Sequence, residues 1–316
     1  MSLLYGIGSV LMLHRVQAES REDFRPNRDM AVSPEFLERF IADAQQRGHT
    51  FVSLDRICDA LQAGTGRQLL ALTFDDGYRD NFTLAYPMLK RLGIPFTVYV
   101  TTAFPDDEAI LWWYAIEQML QQQDEIALAD GSVLPCRSSQ EKLDAFVSLR
   151  QLIMALPVDR LGDRVNALFE HASFDWRNIC AAQALRWTDI DELASDPLVS
   201  IGAHTVSHPV LCALPEEQVR AEMRDGRERI EAHIGAPVTH FCYPFGSRNE
   251  VGAREFELAR QLGFKTATTT RWGNIFPRHR KHLHGLPRVP LTNAFDWNGF
   301  RRQSLRRFSR GRVVTV

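Results

Sequence analysis

Apolar runs of four to six residues recur along this chain, and helical patterns separate several of them: Leu69 to Phe74, Phe96 to Val100, Val199 to Ala203, Thr239 to Tyr243 and Thr266 to Thr269. Such runs suit strands buried on both faces and are too short for buried helices. Between them, Ser33-Pro34-Glu35 opens a helix with a capping hydroxyl and a proline in the first turn. Phe36, Leu37, Phe40, Ile41 and Ala44 follow at helical spacing. Thr83 to Leu92 reads as a second helix ended by Gly93, residues 214–235 as a third ended by Gly235, and Glu250 to Leu262 as a fourth ended by Gly263. Strand–helix alternation of this kind predicts a parallel sheet or a β/α barrel. The apolar N-terminus, MSLLYGIGSVLMLHRV, lacks a basic leader region and reaches His14-Arg15 too soon to span a bilayer. It is expected to supply the first barrel strand or its lead-in. Its GxG lacks the third glycine of a dinucleotide loop.

Residues 104–190 break the rhythm: they are rich in Gln, Leu and charge, and predict a mostly helical insertion that packs on the barrel or covers it. Within it, Trp112 and Trp113 read either as core packing or as an aromatic wall beside a sugar. The last stretch, about 301–316, holds RRQSLRRFSRGR, six arginines without an acid. It predicts a solvated basic tail, with peripheral contact to lipid headgroups or an anionic partner as the alternative. The whole of 1–316 is read as one domain. Apolar residues make up 45% and charged residues 24%, and the net charge of -2 gives no global pull toward nucleic acid. Cysteines 58, 136, 180, 212 and 242 are scattered, odd in number and without a CxxC pair. That argues against a disulfide framework or a cysteine zinc knuckle and suits a reducing compartment, so a cytoplasmic setting is expected.

The apolar run at 69–74 ends in Asp75-Asp76-Gly77. Two adjacent carboxylates at a strand end read either as a solvated turn or as a cation ligand beside a free base; the spacing of an EF-hand loop is absent. A second run, 199–203, is followed by His204 and His208, four apart. In a β/α barrel both strand ends open on the same C-terminal face. Two histidines and one aspartate form a three-ligand set with a coordination position left over, the pattern of catalytic rather than structural zinc.

TFDDG followed by HTVSH resembles the first two motifs of the polysaccharide deacetylases, the carbohydrate esterase family 4 or NodB-homology domain. CYPFG, residues 242–246, resembles the third motif in a YPFG-type branch. The similarity runs from about His14 to Leu291. It implies a distorted (β/α)7-type barrel and removal of acetyl groups from N-acetylated sugars. By position it implies Asp75 as general base and Asp76, His204 and His208 as ligands of a divalent metal, zinc first, with cobalt, nickel or manganese as alternatives. It also implies an oxyanion donor at the backbone of Phe245, next to Tyr243. Trp272, in TTRWGN, answers to the hydrophobic wall of a fourth motif, and Trp113 to an aromatic one. Two departures follow. Cys242 stands where many members carry an arginine, and Arg288 is the candidate replacement that orients Asp75. The family's late Leu-x-His has no clean match, so the general acid is either His14, in LMLHRV, or His284, the former preferred; His279 and His282 are expected at the surface.

The leading function is therefore a metal-dependent N-deacetylase of a glycan, exopolysaccharide precursor or lipid-linked sugar. An amidase or esterase of the same fold on a small non-sugar substrate, and a sugar-binding protein without catalysis, are the alternatives.

Overall fold

The computed structural model describes residues 6–18, 24–157 and 159–309. Seven parallel strands close into a barrel: β1 (Gly8–Leu13), β2 (Leu69–Phe74), β3 (Phe96–Val100), β4 (Val199–Ala203), β5 (His240–Cys242), β6 (Thr266–Trp272) and β7 (Leu286–Pro290). Each pairs with the next in sequence, and β1 closes the ring by pairing with both β2 and β7. The β1–β2 ladder is the longest, Gly8 opposite Leu69 through Leu13 opposite Phe74. A short segment, Thr50–Phe51, adds to the outer edge of β2. Gly8 explains the GxG: a Cβ there would meet the Leu69 carbonyl oxygen at 2.0 Å, so only glycine lets the closing strand approach.

The helices are α1 (Pro34–Gln46), α2 (Leu54–Ala63), α3 (Tyr86–Leu92), α4 (Trp112–Gln122), α5 (Ser139–Met154), α6 (Leu161–Asn166), α7 (Trp176–Gln183), α8 (Trp187–Ser195), α9 (Glu216–Ile234), α10 (Ala253–Gln261) and α11 (Trp297–Ser309). Ser33 caps α1 by accepting the Phe36 N–H, and the five expected apolar positions of that helix are buried. The helix read from Thr83 begins as a π turn at Asn81–Ala85 and becomes α-helical only at Tyr86, before Gly93 ends it in the left-handed region. The helix read from Glu250 starts at Ala253, where the Glu255 carboxylate accepts the Gly252 N–H.

The segment between β3 and β4 carries α4 to α8 and a hairpin pairing Glu125–Ala127 with Val133–Pro135. It has an apolar cluster of its own, including Trp112, Ile116, Phe146, Leu149, Ile153 and Phe169. The basic segment expected as a tail is helical as far as Ser309: Trp297 stacks on Phe40 of α1 with ring centroids 5.5 Å apart, and Phe300 is buried. Apolar burial on the barrel wall, invisible in the arginine pattern, holds it there; residues 310–316 lie outside the described residues. Among the described residues the five cysteines are free, and no helix is long and apolar enough to cross a membrane.

Candidate active site

Because every barrel strand runs the same way, the residues that follow them meet at one mouth. Asp75 and Asp76 follow β2, His204 follows β4, Tyr243 to Phe245 follow β5 and His14 follows β1. Asp76 Oδ1 lies 3.3 Å from Nε2 of His204 and 3.3 Å from Nε2 of His208. Nδ1 of His204 is 2.7 Å from the Cys242 carbonyl oxygen. A carbonyl can only accept, so Nδ1 carries the proton and Nε2 presents its lone pair to the cluster. Lone pairs of a carboxylate and an imidazole at such distances repel unless positive charge sits between them, so this donor set fits a divalent cation.

A second grouping, Asp75, His204 and Cys242, also brings ligand atoms close together. The Arg288 guanidinium lies against both Asp75 and Cys242, which makes this a poor place for a cation. Nη1 and Nη2 of Arg288 donate to the two Asp75 carboxylate oxygens, each at 2.7 Å, and Nη2 also reaches Cys242 Sγ at 3.1 Å. Nη1 donates further to Thr73 Oγ1 and Nε to the Thr269 carbonyl, so all five donors of this fully buried side chain are engaged. Burial, the largest single influence, would raise the Asp75 carboxyl; the charge and hydrogen bonds of Arg288, with His14 and His204, together outweigh it and hold the group below the usual carboxylate range. For Asp76, burial is likewise outweighed by the combined influence of His204, His208 and His14, and the group lies well below that range.

The loops holding these groups are strained. Asp76, Thr205, His208 and Phe245 have φ of 75°, 69°, 59° and 58°, and make up four of the seven left-handed non-glycine residues among those described. Each such conformation costs about 1–3 kcal/mol, and it persists only where the surroundings over-determine it. For the His204–His208 loop, the restraint comes from α9. The Glu222 carboxylate accepts the Val206 and Ser207 N–H groups and the Ser207 hydroxyl. One turn on, Gly226 lets the helix lie against the loop, since a Cβ there would meet the Thr205 carbonyl carbon at 2.8 Å. At the other side, Arg15 and Asp80 form a buried pair at 2.7 Å, and Asn81 Nδ2 donates to the His14 carbonyl. These groups fix the end of β1, so that His14 Nε2 sits 3.9 Å from Asp75 Oδ2.

Trp113 lines the same pocket, its ring 6.1 Å from that of His208 and its Nε1 donating to the buried Tyr78 hydroxyl. Phe245 lines it too, and among the described residues its N–H has no hydrogen-bond partner. Two expected placements, those of Trp272 and His279, differ, and two candidates, His284 and Tyr243, lack the expected role. His284 lies in the turn that enters β7, at the opposite mouth, with Nε2 on the Phe264 carbonyl. Trp272 packs against Phe300 of α11 instead of lining the pocket, because its side chain leaves the barrel on the helix side. Tyr243 lines the reaction pocket as expected, but its hydroxyl donates to the His284 carbonyl and its N–H to that of Thr268, so it has no donor left for an oxyanion. His279 is buried rather than at the surface, and burial pushes its pKa down to about 4.

No curated protein sequence matches the chain. Among solved structures, the chain is similar to the Streptococcus pyogenes deacetylase PplD in complex with acetate, at 17% identity and TM-score 0.60, covering 93% of this chain and 96% of that one. It is similar to IcaB from Ammonifex degensii, at 19% identity and TM-score 0.60, covering 95% and 97%. The third is a de-N-acetylase from Aggregatibacter actinomycetemcomitans, at 16% identity and TM-score 0.58, covering 95% and 99%. At these identities the likeness is one of fold. The sequence profile of the polysaccharide deacetylase family matches residues 62–128 and 166–267, more than half of the chain. With the barrel, the paired aspartates and the two histidines at one mouth, this match makes the chain a member of the polysaccharide deacetylase family.

Proposed function

We propose that the protein is a metal-dependent hydrolase that removes N-acetyl groups from an N-acetylated sugar. The observation that carries this reading is the pairing of two adjacent buried carboxylates with different partners: Asp76 faces two histidines, while Asp75 is held by an arginine. Asp76, His204 and His208 would hold the metal, zinc by the chemistry of the donors. Such an ion supplies Lewis acidity, acidifying water and polarising the acetyl carbonyl.

Asp75, kept ionised by Arg288 throughout the neutral range, takes the proton from the attacking water. The water oxygen bonds to the amide carbon, and the Phe245 N–H donates to the carbonyl oxygen as negative charge collects there. The C–N bond then breaks, and His14 gives the leaving nitrogen its proton, for which an imidazole suits neutral pH. Acetate and a free amine are the products. That a structural neighbour is named a de-N-acetylase favours the amide over an ester as substrate.

The test is metal content measured together with acetate release from N-acetylated oligosaccharides. One divalent ion per chain is expected, and His208→Ala should lose metal and turnover together. Full occupancy with near-normal turnover in that variant would remove the assignment. His14→Ala is expected to retain metal and lose at least about 100-fold in turnover, while His284→Ala, remote from the site, loses much less. The opposite order would transfer the acid role away from His14.

A further inference from the structure

A second chamber adjoins the reaction pocket. The pocket around Asp75, Asp76, His204 and His208 has a volume of about 260 Å³, and its neighbour about 400 Å³. They share the walls Trp112, Trp113, His208 and Phe245. Beyond these the second chamber is lined by apolar side chains, among them Ile110, Ile153, Met154, Leu161 and Trp176, with Glu108 and the Arg160–Asp163 ion pair as its charged members. Its wall is a fitted one: Trp176 Nε1 donates to the Gly162 carbonyl, and a Cβ at Gly162 would meet the indole at 2.8 Å. The size falls within the range of small-ligand pockets.

Helix α5 crosses both chambers. Phe146 and Arg150 line the reaction pocket, whereas Ile153 and Met154 line the second. The four lie on one helix face, at i, i+4, i+7 and i+8. Arg150 therefore stands at the junction, and among the described residues it has no ion pair or hydrogen bond. Along this face the order is reaction centre, unpaired cation, apolar chamber.

We propose that the substrate is an N-acetylated sugar carried through a phosphate on an apolar chain. The sugar occupies the reaction pocket, the phosphate meets Arg150, and the start of the chain fills the second chamber; this rests on the deacetylase reading above. An anion that must also link a sugar to a hydrocarbon points to a phosphate ester, since a carboxylate carries charge but ends a chain. A planar guanidinium donates to phosphate oxygens in a fork. A purely polysaccharide chain would leave Ile153, Met154 and Leu161 facing hydroxyl groups.

Titration calorimetry with octyl phosphate, ethyl phosphate and octyl glucoside, each below its micelle concentration, tests the chamber without reference to turnover. Each buried methylene contributes about fourfold in affinity, so octyl phosphate is expected to bind at least about 100-fold more tightly than ethyl phosphate. It is expected to exceed octyl glucoside by about tenfold or more, as a charge-assisted contact allows. Arg150→Gln should erase the phosphate preference and Leu161→Asp the chain preference, with melting temperatures showing that both remain folded. Equal binding of the two phosphates in the unaltered protein overturns the proposal whatever the variants do, as does a chain preference that survives Leu161→Asp. Acetate release then separates the two readings. Faster release from an N-acetylglucosaminyl octyl phosphate than from chitotriose supports both. Release from chitotriose alone sinks the amphipathic substrate and leaves the deacetylase standing. Release from neither sinks the deacetylase, while the calorimetry still decides what the chamber holds.

Discussion

Asp75→Asn is expected to keep its metal and lose turnover by about 100- to 10,000-fold, the range that a positioned general base contributes. The amide is nearly isosteric, but it cannot take a proton at useful strength. It can also face Arg288 with only one acceptor atom, where the carboxylate offers two at 2.7 Å. The melting temperature should therefore fall as well, and turnover is to be measured where the variant is folded. The complementary variant, Asp76→Asn, is expected to lose metal first. If Asp75→Asn loses the metal and Asp76→Asn retains it, the two roles are exchanged.

The largest effect on stability is expected from Arg288→Met. Removing one member of a buried pair leaves the other as an uncompensated charge, at about 3–5 kcal/mol. For a chain of this size that amounts to a melting temperature lower by roughly 5–8 °C. The effect has a definite pH dependence. In the unaltered protein the Asp75 carboxyl is depressed below its unfolded value, so its stabilising contribution is present above about pH 4 and is lost as pH falls through the folded value. Without Arg288, burial is the dominant influence and raises the folded value above the unfolded one, so the penalty grows as pH rises. The two proteins should therefore differ most at neutral pH and converge in acid. The double variant Asp75→Asn with Arg288→Met should recover part of the loss, since neither charge is then left alone. A constant difference across the pH range would show that Arg288 acts through packing and not through Asp75.

What could be read from the sequence was what depends on local chemistry. Strands such as Leu69–Phe74 and Phe96–Val100, buried along their whole length, read as largely apolar runs, and the residues that follow two of the strands, Asp75, Asp76, His204 and His208, stand out because polar groups in such positions need partners. Arg288 was legible as the answer to a missing cation beside Cys242. Glu222, Gly226, Asp80 and Asn81 were not. Each acts on a loop or strand end distant in sequence, and a mid-helix glycine or an acid on an amphipathic helix carries no local sign of that contact. His279 and Trp272 erred in the same way. Their surroundings, a 3-10 turn and helix α11, are set by packing in the last fifty residues, where charge masks the apolar contacts.

Arg288 lies 213 positions after the carboxylate that it neutralises. During synthesis, which proceeds from the N-terminus, Asp75 emerges long before its counter-charge exists, and β1 and β2 before the strand that completes their ring. Contacts of such wide separation form late and slowly. The Asp75 carboxylate is charged from the moment it emerges, but it gains its buried partner only once the last barrel strand is made, so that a product truncated before Arg288 lacks both that ion pair and a closed barrel.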